Sequence, residues 1–157
     1  MNQKLILQKN LKQLRERKIV LCHGCYDILT PAHIEHLEWA AKQGDVLVVS
    51  VTSDANVSRH KGEGRPHFSH TKRAEVVSAL NCVDHVVVCR ADNALPVLKQ
   101  LRPDVYVKGA DTKVRPGDFF QLECNYVRDY GGVVRFSPTD EEAHTSDIRA
   151  RLLKEEK

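Results

Sequence analysis

The run Val46-Leu47-Val48-Val49-Ser50-Val51 limits the fold of this chain more than any other segment, because five of its six side chains are apolar and four are β-branched. A strand of that composition has no solvated face. It belongs inside a parallel sheet that is covered by helices on both sides. Further strand-like runs follow or precede it at Ile19-Val20-Leu21-Cys22, Val83 to Cys89, Val105-Tyr106-Val107 and Val133 to Phe136. Helical patterns lie between them. Ile34, Leu37 and Ala41 mark one face of a helix that Gly44 ends, and further helices are expected at Thr71 to Leu80, Ala94 to Leu101 and Asp118 to Tyr130, with Thr145-Ser146-Asp147 opening a last one. Leu7, Leu11 and Leu14 predict an N-terminal helix within residues 1–17, packed on the sheet, and Ser53 to Pro66 reads as a polar loop.

Strands alternating with helices predict an α/β, Rossmann-like open parallel sheet of about five strands, in the order 3-2-1-4-5, with right-handed crossovers and helices on both faces. At 157 residues a single domain spanning 1–157 is expected. The formal charge of +3, with acidic and basic residues interleaved, argues against a nucleic-acid partner. No leader pattern and no apolar run near the ~20 residues of a membrane span is present, so a soluble, cytoplasmic protein with no membrane partner is expected.

The cysteines are five: Cys22, Cys25, Cys82, Cys89 and Cys124. Their spacing matches neither a disulfide nor a zinc framework. Cys22 and Cys25 form one C-x-x-C, but Cys22 falls in a strand and the helix signal comes only at Thr30, which argues against thioredoxin-like chemistry.

The functional signal is Gly24-Cys25-Tyr26-Asp27-Ile28-Leu29-Thr30-Pro31-Ala32-His33, which reads as a strand exit, a short loop and a helix start. Gly24 permits a sharp turn, Thr30 suits the N-cap, and Pro31 suits the first helical position, where its missing N–H costs nothing. The unpaired N–H groups of that helix end attract anions, and His33 falls on its first turn. A phosphate site is expected there. His33 and His36 at i, i+3 form too small a set to specify a metal site. In such a sheet ligands sit beyond the carboxyl ends of the strands, where Gly24 to His33, Ser53 to Arg65, Lys108 to Asp111 and Thr139 to Ser146 all lie.

The first of these loops resembles the G-x-F-D-x-x-[H/T]-x-G-H signature of the cytidylyltransferase-like nucleotidyltransferases, with Gly24, Tyr26, Asp27, Thr30 and His33 at the matching positions. Lys61-Gly62-Glu63-Gly64-Arg65-Pro66 resembles the K-G-x-x-R-P loop of bacterial heptose-1-phosphate adenylyltransferases. Arg73 falls where those proteins carry an arginine, Val107-Lys108-Gly109-Ala110-Asp111 is similar to their V-K-G-G-D, and Thr145-Ser146-Asp147-Ile148 to their S-T-T/S-x-I. The resemblance runs from about Ile19 to Leu152. Three positions depart from it: Thr30 stands for the first histidine, Ala32 for the glycine and His144 for a serine.

The resemblance implies transfer of a nucleoside monophosphate from a nucleoside triphosphate, with ATP favoured, to a phosphorylated small molecule such as a sugar 1-phosphate, with release of pyrophosphate and with magnesium accompanying the triphosphate. His33, Thr30 and Lys61 would act on the phosphates. Gly24, Cys25, Tyr26, Lys108, Gly109, Ala110, Asp111, Thr145 and Ser146 would hold the nucleotide, and Asp27 and Arg73 would serve the acceptor side. A cytidylyltransferase using CTP on glycerol phosphate, another polyol phosphate or a phosphonate is the alternative within the family. A nucleotide-binding protein without turnover is the alternative outside it, motivated by Thr30 and His144. A homodimer is also expected from the family.

Overall fold

A computed structural model describes residues 3–14, 17–114 and 119–138. Its frame is one five-stranded parallel sheet in the order β3-β2-β1-β4-β5, built from β1 (Ile19–Gly24), β2 (Val46–Thr52), β3 (His85–Cys89), β4 (Val105–Gly109) and β5 (Val133–Ser137). The sheet has the expected order. Helices α1 (Pro31–Ala41), α2 (Asp54–Lys61), α3 (His70–Ser78), α4 (Leu95–Leu101), α5 (Asp111–Val114) and α6 (Phe120–Asp129) connect the strands.

Alternation along the strands sorts their side chains onto two faces. Val20 and Cys22 of β1, Leu47, Val49 and Val51 of β2, and Val105 and Val107 of β4 form one core with Leu37 and Ala40 of α1 and Ala74 and Val77 of α3. Ile19, Leu21, Val46, Val48 and Tyr106 turn the other way and pack with Leu98 and Leu101 of α4 and Val127 of α6. Every apolar residue of the central run Val46 to Val51 is therefore covered, as its composition requires.

The amino ends of the strands carry structural carboxylates. Lys18 N–H donates to Asp45 (3.0 Å), Ile19 N–H to Asp104 (2.7 Å) and Leu47 N–H to Asp84 (2.8 Å). These bonds satisfy amides that the ladder leaves unpaired. Polar residues at this end of the sheet are thereby accounted for, which leaves the carboxyl end for chemistry.

Three segments differ from expectation. The N-terminal segment forms a 3-10 helix at Gln8–Leu14 rather than a full α-helix; Leu11 is buried but Leu7 is exposed. Before it, Ile6 N–H donates to Val86 O (2.9 Å) and Val86 N–H to Lys4 O (2.8 Å), so these residues cover the open edge of β3 instead of joining a helix. The polar stretch after β2 is largely the helix α2. Asp54 in its first turn and Arg59, His60 and Lys61 in its last complement the helix dipole, and Gly62, at φ 86°, ends it. Lys108 and Gly109 are the last residues of β4 rather than loop. The helix expected from Thr145 lies outside the described residues.

No described helix is long and apolar enough to cross a membrane. The cysteines among the described residues are unpaired, and burial in β1 pushes the Cys22 thiol far up. A thiol held protonated in this way cannot serve the exchange chemistry of a C-x-x-C motif.

Candidate active site

The carboxyl end of β1 forms a small cradle. Past Gly24 the chain turns through Tyr26, whose φ of +50° is unusual for a side chain of that size, and Tyr26 is buried. Its ring lies against Gly24 so closely that an added Cβ there would sit 3.0 Å from it, a tight contact that favours glycine at this strand exit. Thr30 occupies the N-cap of α1 in extended geometry, with Pro31 next.

The first turn of α1 orients His33. The Thr30 N–H donates to His33 Nδ1 (3.1 Å), and Thr30 Oγ1 lies 2.9 Å from the same nitrogen. An amide N–H can only donate, so Nδ1 carries a lone pair and the proton of the neutral ring sits on Nε2. The Tyr26 ring meets the imidazole edge-on at 5.8 Å and limits its rotation. Thr30 thus selects the His33 tautomer as well as capping the helix.

Asp27 and Arg73 build the walls of the cradle. Asp27, buried, accepts the N–H groups of His67 (2.9 Å) and Phe68 (3.0 Å) and Nη1 of Arg65 (2.9 Å). Burial alone would raise its pKa, but these donors outweigh burial and hold the carboxyl below its usual range. The expectation that Arg73 binds an acceptor anion meets a different arrangement. Its side chain is buried, and its guanidinium donates to Phe68 O (2.9 Å), Cys25 O (2.5 Å), Thr52 O (2.8 Å) and the Asp54 carboxylate (2.7 Å). Such a guanidinium positions the backbone around the cradle. Asp27 likewise organises the loop of residues 65–68, and Lys61 stands exposed at the end of α2.

On the other face of the sheet, at the same end, lies a cavity of about 300 Å³ lined by His23, Thr52, His60, Asp92, Asn93, Lys108, Thr112, Phe119, Phe120 and Glu123. It opens where the β1–β4 pair marks the reversal of strand order, as the rule for open α/β sheets expects. Glu123, from α6, anchors it. Its carboxylate accepts the Ala94 N–H (2.8 Å), the Tyr106 hydroxyl (2.8 Å) and the Lys108 ammonium (3.3 Å). Burial raises the Glu123 pKa, yet Lys108 and the hydrogen bonds more than reverse that and keep it ionised. His23 is the opposite case: burial lowers its pKa to about 4, so it is neutral. Its Nδ1 lies 3.0 Å from Ser50 Oγ, while Thr52 Oγ1 donates to Gly24 O (3.2 Å) and so ties the cavity wall to the cradle.

Of the residues singled out in the sequence, Gly24, Cys25, Tyr26, Asp27, Thr30 and His33 come together at the cradle, with Arg73 behind them. Lys108 belongs to the cavity instead. Gly109, Ala110 and Asp111 continue past β4, where Ala110 N–H donates to Ser137 O (3.1 Å). Thr145, Ser146 and His144 lie outside the described residues. Sequence reasoning missed His23, Thr52 and Glu123: strand parity puts the first two on one face, and α6 packs the third against them. His36, set aside as a metal ligand in the sequence, has its Nδ1 2.6 Å from the buried Ser137 Oγ, and burial lowers its pKa to about 4. Among the described residues no group of three or more His, Cys, Asp or Glu side chains is arranged to hold a metal ion.

The profile of the cytidylyltransferase-like family matches residues 21–152. The chain is similar to the bifunctional protein HldE of Helicobacter pylori (strain ATCC 700392 / 26695), at 42% identity over 107 residues, covering 68% of this chain and 23% of that protein. It is similar to the bifunctional protein HldE of Syntrophotalea carbinolica at 35% identity over 143 residues, covering 91% of this chain and 28% of that one. The chain thus spans about a quarter of the length of these relatives. Among solved structures, a lipopolysaccharide core biosynthesis protein from Thermoplasma volcanium GSS1 superposes with a TM-score of 0.65 at 28% identity, covering 79% of this chain and 99% of that one. A pantoate-beta-alanine ligase from Francisella tularensis, at 13% identity and a TM-score of 0.61, covers 93% of this chain and 73% of that one and shares the fold.

Proposed function

The chain belongs to the cytidylyltransferase-like family, and on that premise we propose that it is a nucleotidyltransferase that joins the nucleoside monophosphate of a triphosphate, ATP in the first instance, to a sugar phosphate. An acceptor phosphate oxygen attacks the α-phosphorus, the bond from that phosphorus to the β-phosphate oxygen breaks, and pyrophosphate leaves. The nucleophile is already ionised at neutral pH, so the reaction requires no general base. The protein's task is to hold two polyanions in line and to stabilise charge as it moves onto the leaving group.

The observation that carries this reading is the fixed orientation of His33. With Nδ1 accepting from the Thr30 N–H, the ring offers Nε2–H as a donor at the positive end of α1. Such a donor is set before the substrate arrives, which is what makes it effective on developing charge. Lys61, exposed at the end of α2, supplies a cation for the outer phosphates, while Asp27 and Arg73 hold the walls in register. Gly109 to Asp111, with Thr145 and Ser146, are assigned to the nucleotide.

Asp27 and Asp54 are already engaged by N–H groups and guanidinium, so a magnesium ion would rest mainly on triphosphate oxygens and water. When bound, it neutralises phosphate charge. A chain spanning a quarter of its curated relatives fits the adenylyltransferase part of a larger activity, with the heptose class of sugar 1-phosphate as the acceptor and a homodimer as the expected assembly.

Pyrophosphate release across a panel of ATP and CTP against sugar 1-phosphates, glycerol 3-phosphate and a phosphonate tests the reading. Turnover confined to ATP with a sugar 1-phosphate is the expected result. CTP with a polyol phosphate would move the chain to the cytidylyltransferase alternative, and tight nucleotide binding with no release for any pair would sink the enzyme reading.

A further inference from the structure

His36 lies on α1 three residues beyond His33, past the helix start that carries the phosphate chemistry. Its Nδ1 meets the hydroxyl of Ser137 at 2.6 Å, across 101 positions of sequence. Ser137 is the last residue of β5 and is fully buried. A serine at such a place, rather than a valine, gives up apolar contact for one directional bond. The other contacts of Ser137 show what that bond joins. The serine pairs with Gly109 across the β4–β5 ladder, its carbonyl accepts the Ala110 N–H at 3.1 Å, and its hydroxyl lies 3.5 Å from Lys108 O. Ser137 is thus tied to the main chain where β4 ends and α5 begins.

His36 stands between two halves of the site. Burial first, then the nearness of His33, lowers its pKa to about 4 against the opposing pull of Asp111, so the ring is neutral and has no charge to offer a phosphate. His33 belongs to the cradle, and Asp111 to the turn assigned to the nucleotide. On a helix, His36 sits about 4.5 Å farther along the axis than His33. A shift of β4 and β5 against α1 therefore changes the distance from His33 to Gly109 and Asp111. A nucleoside triphosphate that reaches both places gains from both only when that distance fits, as a ligand with two linked binding groups does.

We propose that His36 and Ser137 form a latch that sets the spacing between the phosphate cradle and the Gly109–Asp111 turn, which makes His36 a positioning residue for the triphosphate. The inference rests on the nucleotidyl-transfer reading, and the experiment separates the two. Calorimetry on the full chain uses two probes: α,β-methylene ATP, which spans both halves and cannot release pyrophosphate, and inorganic tripolyphosphate, which occupies the phosphate half alone. The wild-type protein is expected to bind the analogue at least ~10-fold more tightly than tripolyphosphate. His36→Leu is expected to weaken the analogue ~10-fold, the scale of one neutral hydrogen bond, and tripolyphosphate by no more than ~2-fold. His36→Asn, which keeps a polar atom near the place of Nδ1, is expected to restore the analogue to within ~3-fold of wild type. Ser137→Ala removes only a hydroxyl and tests the latch from the other side; it is expected to reproduce the loss, and the double variant to lose no more than either single one.

An analogue affinity within ~2-fold of wild type in both His36→Leu and Ser137→Ala overturns the latch. An equal loss of both probes also overturns it, because loosening of the fold as a whole weakens them together, and so does a failure of His36→Asn to restore binding. In each of these cases the wild type still prefers the analogue, and this inference falls alone. If the wild type binds tripolyphosphate as tightly as the analogue, the turn holds no nucleoside and the latch falls with that assignment. If it binds neither probe, the transfer reading falls and takes the latch with it.

Discussion

The two halves of the carboxyl end of the sheet are built on opposite principles. The cradle on the α1 face draws on one continuous segment, Gly24 to His33, and presents the positive end of α1 with an imidazole on its first turn. The cavity on the α4–α6 face draws one residue each from β1, β2, β4, α2 and α5 and two from α6, and pairs Lys108 with Glu123. A site that must attract polyanions gains from the positive end of a helix. In the cavity, by contrast, Lys108 is paired with Glu123 and Asp92 with Arg59. The contrast also separates what each half needs for stability, since removing one member of a closed network leaves a buried partner unsatisfied, whereas removing an outward donor leaves the protein intact.

The largest effect is expected from Arg73→Met, which tests whether the cradle, despite its open front, depends on a closed network behind it. Three backbone carbonyls and Asp54 lose their donor, and a buried charged group that holds several acceptors is worth about 3–5 kcal/mol when one side is removed. Asp54 is partly solvated and keeps His70, so the lower figure is expected. Urea unfolding measures it. A loss under about 1 kcal/mol would mean that the guanidinium is free to bind a ligand, and Arg73 would return to the acceptor side.

His33→Ala is expected to do the reverse: turnover falls at least ~100-fold, about 2.7 kcal/mol of transition-state stabilisation, with little change in unfolding free energy. Steady-state pyrophosphate release on a variant with a normal melting profile checks this. A rate within ~3-fold of wild type removes His33 from the mechanism.

The third test uses pH to distinguish the halves. His23, behind the cavity, has its pKa lowered to about 4 by burial, against ~6.5 in an unfolded chain. The unfolded state then binds the proton more readily between those values. Stability is complete above pH 6.5 and is lost as pH falls toward 4, by about 2–3 kcal/mol for one such group between pH 7 and 4.5. Asp27 and Glu123, with lowered pKa values, lose their contributions only further down, as pH passes below the ordinary carboxylate range. His23→Asn, which keeps a polar group between Ser50 and Thr52, is therefore expected to flatten the pH 7-to-4.5 loss measured in urea, leaving the part due to His36. An unchanged slope would show that His23 does not stay neutral in the folded protein.

How far these regions were legible in the sequence follows from how they are made. Sheet order and the phosphate cradle depend on contiguous signals: β-branched runs, a glycine exit, a Thr-Pro helix start and a histidine on the next turn. The cavity depends on parity, since His23, Thr52 and Lys108 share a face only because their strands run parallel in one register, and none of these residue types is unusual where it stands. The surroundings of Arg73 are hidden for a related reason. Its charge suggested an anion, but the packing of α3 brings it under the cradle, where backbone carbonyls occupy its donors. In the polar stretch after β2, loop composition concealed a helix whose charges are ordered along its dipole.

Thr30→Val is the smallest and most discriminating of the changes, because Thr30 stands where the family pattern has a histidine. If Thr30 only caps the helix, the substitution costs about 1 kcal/mol of stability and leaves turnover alone. The geometry argues for more. Thr30 Oγ1 lies 2.9 Å from the same Nδ1 that accepts the Thr30 amide, so its hydroxyl holds the imidazole in the donor orientation from a second direction. Valine preserves the backbone N–H and thus the tautomer, but not that second contact. Turnover is expected to fall ~3- to 10-fold, with restoration by Thr30→Ser, well short of the loss on removing His33. A fall as deep as that of His33→Ala would instead place the hydroxyl on the phosphates themselves, and would make the threonine a direct replacement for the missing histidine rather than its neighbour's guide.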